Sequence, residues 1–554
     1  MIVLWLIWEG LVYYYASFLY FKGENIMCGF LVVYDEGYTM ESFVKSLKKI
    51  EYRGPDDVSA SKRNGYFWGF NRLAIMDLSA NGNQPFITEN VEVVCNGEIY
   101  NYPKLKENVA PIHSFISSSD CEVIAPLYKK YGFEIACKML DAEFACVLYD
   151  ENTKKIYAAR DPMGIRPMFY GYTKESHQIC FASEAKALQE FCEEIAPFPP
   201  GHYYADGQFI WYHNLAATKS INTDDLEAIA TNLRGKLVHA VHTRLQSDAP
   251  IGYLLSGGLD SSLVCSIGQK LADHPIRTFA IGMETDPIDL KYAKQVADYI
   301  GSDHTEVIIT KEDVLEAVRE VIYHLETWDI TTIRASIPMY LLCKYIHENT
   351  DIKVILTGEV SDELFGYKYT DFAPSPEEFQ NEAAKRIREL YMYDVLRADR
   401  CISAHALEGR VPFADTDFVL YAMSIDPAKK MNIYNKGKYL LRHAFEGYDY
   451  LPDEILFREK AAFSDAVGHS MVDYLKDYAN EHYTDEDVQK AKEKYPYGTP
   501  FTRESLFYRD IFESYYPGQA KWIKDFWMPN KTWENCDVDD PSARVLKNYG
   551  DSGK

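Results

Sequence analysis

Zinc-ligand spacing, CxxC pairs, a GxxxxGK[ST] phosphate loop, internal repeats and low-complexity tracts are all missing from these 554 residues. Each absence excludes something. Eleven cysteines, an odd number scattered along the chain, provide neither a disulfide framework nor a zinc site and point to a reducing, cytoplasmic compartment. Basic residues are in deficit, 58 Lys and Arg against 83 Asp and Glu, for a net charge of −25. That excludes a dedicated nucleic-acid binder and requires any phosphate ligand to be held by a local site. Strongly apolar sequence is concentrated in residues 1–26, where only Glu9 is charged before Lys22. This stretch lacks the basic n-region and small-residue cleavage site of a secretory signal. An interfacial anchor or short span is one reading of it. The reading favoured by Met27 and Cys28 is that residues 1–26 are misread or removed sequence, so that the working form has no membrane association.

What is present is a large chain rich in core-forming residues, 47% hydrophobic and 14% aromatic, long enough for several domains. From Met27 to about Trp211 short β-rich runs such as FLVVY, YFWGF and EFACVLYD alternate with turns and with helical patterns at ESFVKSLKKIEY and CEVIAPLYKKYG. This half predicts an α+β layer structure with antiparallel strands. After about Thr218 apolar strands (IGYLLS, IRTFAIGM, HTEVII, DIKVILTG) alternate with amphipathic helices, which predicts a doubly wound parallel α/β sheet. From about Ala383 the pattern is mostly helical, and beyond Tyr516 periodicity is lost. The resulting division is 27–215, 216–535 and a C-terminal tail at 536–554.

The sharpest local signal is SGGLDSS, Ser256 to Ser262, between an apolar strand and a helix. Gly257 and Gly258 permit a tight turn, while Ser256, Ser261 and Ser262 add hydroxyls to the amides of a helix N-terminus, where anions bind well. The missing lysine points to ATP cleavage between the α- and β-phosphates rather than γ-phosphate transfer. Asp260 lies in this loop, and Glu359, Asp362 and Glu363 follow the strand VILTG. Carboxylates at the carboxyl edge of a parallel sheet suit Mg²⁺ bridging phosphates, and they equally suit a metal-free acidic helix N-terminus.

At this point the chain resembles the glutamine-hydrolysing asparagine synthetases, over nearly its whole length from Met27. The motifs are MCGF at 27, EYRGPDD at 51, NRLAI at 71, NGEIYN at 96, SDCEV at 119, RDPMGIRP at 160, SGGLDSS at 256, ETWDITTIRAS at 326, TGEVSDELFG at 357, LEGRVPF at 407, and DPSAR near the end. The resemblance implies an N-terminal-nucleophile αββα sandwich followed by an ATP-pyrophosphatase domain. It implies glutamine, aspartate and ATP as substrates, Mg²⁺, and a homodimer. Cys28 would become residue one, its thiolate attacking glutamine and its α-amine serving as base, since an α-amine titrates near neutrality whereas a peptide nitrogen accepts no proton.

By the same resemblance Asn96 and Gly97 would form the oxyanion hole, and Arg72, Glu98 and Asp120, with the segment Leu73, Ala74, Ile75 and Met76, would hold glutamine. Leu254 and Ile281 would line the nucleotide pocket with Thr357 and Gly358 at its base. Glu359 would govern formation of a β-aspartyl-AMP intermediate, Asp260 and Asp362 would hold Mg²⁺, and Lys460 would meet phosphate charge. Arg334 is a further candidate for a substrate carboxylate or phosphate.

Departures from the family pattern cluster at the adenylation site. Val360 stands where glycine is expected, and a β-branched residue adopts a positive φ only at a cost, so a turn needing one would have to be reshaped. Ala461, Ala462 and Ala466 replace polar residues and a glycine in KAAFSDAV. Two other readings follow: a related amidotransferase or ligase adenylating a different carboxylate, and a non-catalytic glutamine or nucleotide sensor.

Overall fold

The computed structural model describes residues 19–21, 28–54, 56–218, 220–285, 287–459 and 467–550. Most of the 1–26 stretch, together with Lys460, Ala461, Ala462 and Ala466, lies outside the described residues. Among the described residues no helix is long and apolar enough to cross a membrane.

The strands up to Trp211 are β1 (Leu19–Phe21), β2 (Gly29–Tyr34), β3 (Asp57–Arg63), β4 (Tyr66–Arg72), β5 (Phe86–Thr88), β6 (Val91–Ile99), β7 (Ala142–Asp150), β8 (Lys155–Arg160), β9 (Phe169–Thr173), β10 (Ile179–Ala182), β11 (Cys192–Pro197), β12 (His202–Ala205) and β13 (Gln208–Trp211). They form two antiparallel sheets, ordered β1-β3-β4-β2-β10-β9-β11 and β13-β12-β8-β7-β6-β5. The period-2 alternation of side chains explains their stacking. On β2, Phe30 and Val32 join Val94 and Val147 of the other sheet in a core between the sheets. Leu31 and Val33 point the opposite way and pack with Phe43 and Leu47 of the helix Met40–Lys48. On the far side, Val93 and Cys95 of β6 pack with Leu105 and Leu127 from the helices Tyr102–Val109 and Ile124–Tyr131. The layers therefore run helix, sheet, sheet, helix, as the family resemblance implies.

The second half has one parallel sheet, built from β14 (Ile251–Leu254), β15 (Arg277–Met283), β16 (Asp303–Ile309), β17 (Val354–Leu356) and β18 (Glu408–Arg410). Its order is β16-β15-β14-β17-β18. The chain steps outward from β14 on one side and then returns to its other flank at β17. The topological switch point, where ligands bind in open α/β sheets, thus lies at the carboxyl ends of β14 and β17. Strand β18 has no apolar periodicity, being only Glu-Gly-Arg, and its pairing with β17 is what defines it.

The two halves meet through apolar contacts, such as Phe169 against Trp522, and through buried ion pairs. Arg53 bonds Asp399, Arg244 bonds Glu143 and Arg410 bonds Glu98 across the two halves, each arginine being held also by a carboxylate of its own half (Glu184, Asp415 and Glu408), all with nearly inaccessible side chains. Buried charges of this kind cost desolvation, and removing one partner strands the other.

Candidate active sites

Gly29 pairs with Asn71 across β2 and β4, which sets Cys28 beside Arg72 and Leu73. The Cys28 Sγ accepts a hydrogen bond from the Leu73 amide at 3.3 Å and lies 3.4 Å from the Leu73 carbonyl. Burial pushes this thiol up to about 12, against the pull of the Leu73 amide. A thiol so placed needs a base before it can attack. The backbone of Cys28 is held in turn by Arg53, whose Nε donates to the Cys28 carbonyl at 3.0 Å.

Asn96 follows Val94 by two residues on β6, so its side chain points into the same inter-sheet space against which Cys28 packs. It is buried, and its Nδ2 has no partner among the described residues. A buried amide left as a spare donor, facing the space against which a thiol packs, is what an oxyanion site requires. Gly97 has no alternative at its position: a Cβ there would lie 2.3 Å from the Glu143 carbonyl.

Arg72 is buried and bonded by carbonyl and amide oxygens of the following loop, at 2.7 Å from Ser79 and 2.6 Å from Asn83. Among the described residues no carboxylate makes an ion pair with Arg72, and its terminal nitrogens are bonded also to the Met76 and Asp77 carbonyls, so an anionic ligand would exchange for bonds to neutral oxygens. Asp120 accepts from the Ile99 amide at 2.7 Å, and burial raises its carboxyl. Glu98 is held from the other half of the chain by Arg410 at 3.1 Å, while its second oxygen has no partner among the described residues. Burial, then Asp120, raises the Glu98 carboxyl, so this pair favours a cationic ligand. Ala74 is fixed by its amide bond to Asp56 at 2.8 Å, and Ile75 through the Asp248 amide at 3.1 Å.

The second site is a cavity at the switch point. It gathers Leu254, Ser256, Gly258, Asp260, Ser261, Ile281, Thr357, Gly358, Glu359 and Asp362 from three separate stretches of sequence. The helix Leu259–Leu271 opens with Gly258, which as a glycine supplies no side-chain cap, so the positive end of the helix faces the cavity that Gly258 lines. Gly257 turns with φ +68, and a Cβ there would meet the Ala293 amide nitrogen at 2.5 Å. Gly358 packs equally close, its Cβ position being 2.7 Å from the Ser261 nitrogen. Ser262 lies a step deeper, buried in the helix and not on the cavity wall. Thr357 Oγ1 is buried at the cavity with no partner among the described residues.

Three arrangements here escape sequence reasoning. Lys438 Nζ sits between the two carboxylates expected to hold metal, 2.8 Å from Asp260 and 2.7 Å from Asp362. Arg397 bonds Glu359 and lies 3.2 Å from Asp394. Burial raises the Glu359 carboxyl, Arg397 opposes this, and Asp394 and Asp362 reinforce it. Arg334 lines the cavity, yet it is already committed to Glu504 at 2.8 Å and Asp540 at 2.9 Å. The signal that could have revealed Lys438 and Arg397 is only their charge, since both are brought in from far along the chain.

Val360 keeps the turn rather than reshaping it. Its φ is +80 and ψ −21, directly before the helix Ser361–Phe365, and its side chain is 2% exposed. The reshaping expected from sequence does not occur, because burial of the isopropyl group offsets a backbone strain of about 1–3 kcal/mol.

Among the described residues no group of three or more His, Cys, Asp or Glu side chains is placed to hold a metal. Asp260 and Asp362 nevertheless converge on one cation, the Lys438 ammonium. Two carboxylates suit Mg²⁺ when phosphate oxygens complete its shell.

The family model described as Asparagine synthase matches residues 232–379 and 371–538, and that described as Glutamine amidotransferase domain matches residues 27–205. The chain is 41% identical to the glutamine-hydrolysing asparagine synthetase of Mus musculus, covering 95% of this chain and 100% of the relative. It is 40% identical to that of Homo sapiens, over 94% and 99% of the two chains. It is 41% identical to glutamine-hydrolysing asparagine synthetase 2 of Oryza sativa subsp. japonica, over 95% and 92% of the two chains.

Proposed function

The chain belongs to the glutamine-hydrolysing asparagine synthetases, and on that premise we propose how its residues divide the work. The enzyme converts L-aspartate to L-asparagine with glutamine as nitrogen donor and ATP as the activating substrate. We assign residues 27–215 to the glutaminase, 216–535 to the synthetase, and a mature start to Cys28.

In the glutaminase, Arg72 receives the α-carboxylate of glutamine, while Asp120 and Glu98 receive its ammonium. The freed α-amine of Cys28 takes the thiol proton, and the thiolate attacks the side-chain amide carbon. Asn96 Nδ2 and the Gly97 amide donate to the oxyanion. Ammonia leaves with a proton, and water then cleaves the thioester to glutamate. The raised thiol is the reason a base is needed.

In the synthetase, the aspartate β-carboxylate attacks the α-phosphorus of ATP and pyrophosphate departs, giving the β-aspartyl-AMP intermediate. The positive end of the helix Leu259–Leu271 and the Lys438 ammonium take up phosphate charge, with Lys460 as a further cation. Mg²⁺ held by Asp260 and Asp362 would neutralise phosphate charge. Ammonia then attacks the acyl carbon and AMP leaves. Glu359, raised by burial, is suited to accept a proton from the incoming nitrogen. A homodimer and a cytoplasmic setting complete the proposal; all eleven cysteines are unpaired, as a reducing compartment maintains them.

The observation that carries this assignment is the unpartnered Asn96 amide in the space lined by Cys28. It is tested with a chain beginning at Cys28. Glutamine hydrolysis should be abolished in Cys28→Ala and fall about 100-fold or more in Asn96→Ala. Full hydrolysis in Cys28→Ala would reject the assignment.

A further inference from the structure

The segment from Asp540 to Asn548 has almost no backbone structure of its own, only the short 3₁₀ turn Ala543–Val545. Side chains hold it instead, at three places. Asp540 bonds Arg334 at 2.9 Å and also meets Lys476. Arg544 bonds Asp473 at 2.6 Å. Asn548 donates to the Lys368 carbonyl at 2.7 Å and to Asp371 at 2.9 Å. Arg334 and Lys368 are both cavity-lining residues, so the segment crosses from one wall of the adenylation cavity to another. Between those ends Pro541, Ala543 and Leu546 form part of the lining, and Leu546 is 5% exposed.

We infer that residues 540–548 are a strap sealing the adenylation cavity, with Asp540 as the positioning residue that clips it, so that the acyl adenylate meets ammonia and not water. This rests on the synthetase reading above. Its physical need is clear: an acyl adenylate is open to hydrolysis, in which a water oxygen bonds the acyl carbon and the carbon–phosphate-oxygen bond breaks. Aspartate and AMP then leave, and one ATP is consumed without product. An apolar wall of Pro541, Ala543 and Leu546 excludes that water. Glu504 braces Arg334 from its other side at 2.8 Å, so the clip has a fixed anchor. Despite its burial, Asp540 is held well below the usual carboxylate range by Arg334, which keeps the clip charged at any working pH.

The test measures AMP and asparagine together, from the chain beginning at Cys28 with ATP, Mg²⁺, aspartate and ammonium. The parent should give one AMP per asparagine. Asp540→Ala should give at least threefold more AMP than asparagine, with glutamine hydrolysis unchanged, and Asp540→Glu should return the ratio toward one. Arg544→Ala removes a clip to the half-exposed Asp473 and serves as the second variant, with a smaller rise expected. If Asp540→Ala does not fold, shown by lost glutamine hydrolysis, Arg544→Ala decides. A ratio of one in every folded variant would overturn the strap while leaving the synthetase reading intact. No aspartate-dependent AMP from the parent would overturn both.

Discussion

Arg53 and Asp399 form a buried ion pair at 2.9 Å that joins the backbone of Cys28, the proposed nucleophile, to the second half of the chain. Asp399 lies on the helix Asp394–Ser403, which also carries Arg397, the partner of Glu359. One short helix therefore touches Arg53 and the adenylation cavity at once. Asp399→Ala strands part of a buried guanidinium, and because Glu184 still holds Arg53 at 2.7 Å the stability cost should sit near about 3 kcal/mol, the low end for a broken buried pair. Glutamine-dependent synthesis should fall at least fivefold more than ammonia-dependent synthesis. Equal losses with both nitrogen sources, measured as initial rates, would count against coupling through this pair.

Lys438 supplies the cation between Asp260 and Asp362. Lys438→Met leaves two carboxylates facing each other in a largely buried site, a change of about 3–5 kcal/mol in stability by the same reasoning. Mg²⁺ should recover part of that loss, because its charge replaces the ammonium. Denaturation midpoints of this variant with and without millimolar Mg²⁺ check it, and identical midpoints would show that the two carboxylates do not share a metal.

Val360 combines strain with burial, so the two effects can be separated by substitution. Val360→Gly loses about 2 kcal/mol of buried apolar contact and regains about 1–3 kcal/mol of backbone strain, leaving stability within about 1 kcal/mol of the parent. Val354→Gly, equally buried but in the regular strand β17, has no strain to regain and should cost about 3 kcal/mol. Equal destabilisation of the two variants in urea would mean that Val360 is not strained.

Local chemistry was readable from residues alone. SGGLDSS lies in one stretch, and its glycines, serines and following helix all serve the same loop. Cys28, Asn96 and Asp120 were readable through family motifs, and the parallel sheet through its alternating strands and helices. What was hidden depends on long-range assembly. Arg53 and Asp399 are far apart in sequence and carry no pattern that pairs them. Lys438 arrives from a helix start where a lysine has many ordinary explanations. Strand β18 is three residues with no apolar rhythm, and the 540–548 segment has no periodicity because its order comes from ion pairs rather than a ladder of backbone bonds. Val360 misled in the opposite sense, since a propensity argument omitted what its burial returns.

The most direct test of the account is AMP release from ATP and Mg²⁺ with ammonium present, comparing reactions with and without aspartate. Supplying ammonium makes the outcome independent of the chain's start at Cys28. The account predicts AMP release that requires aspartate and is accompanied by asparagine. AMP release indifferent to aspartate, or absent in its presence, would contradict it.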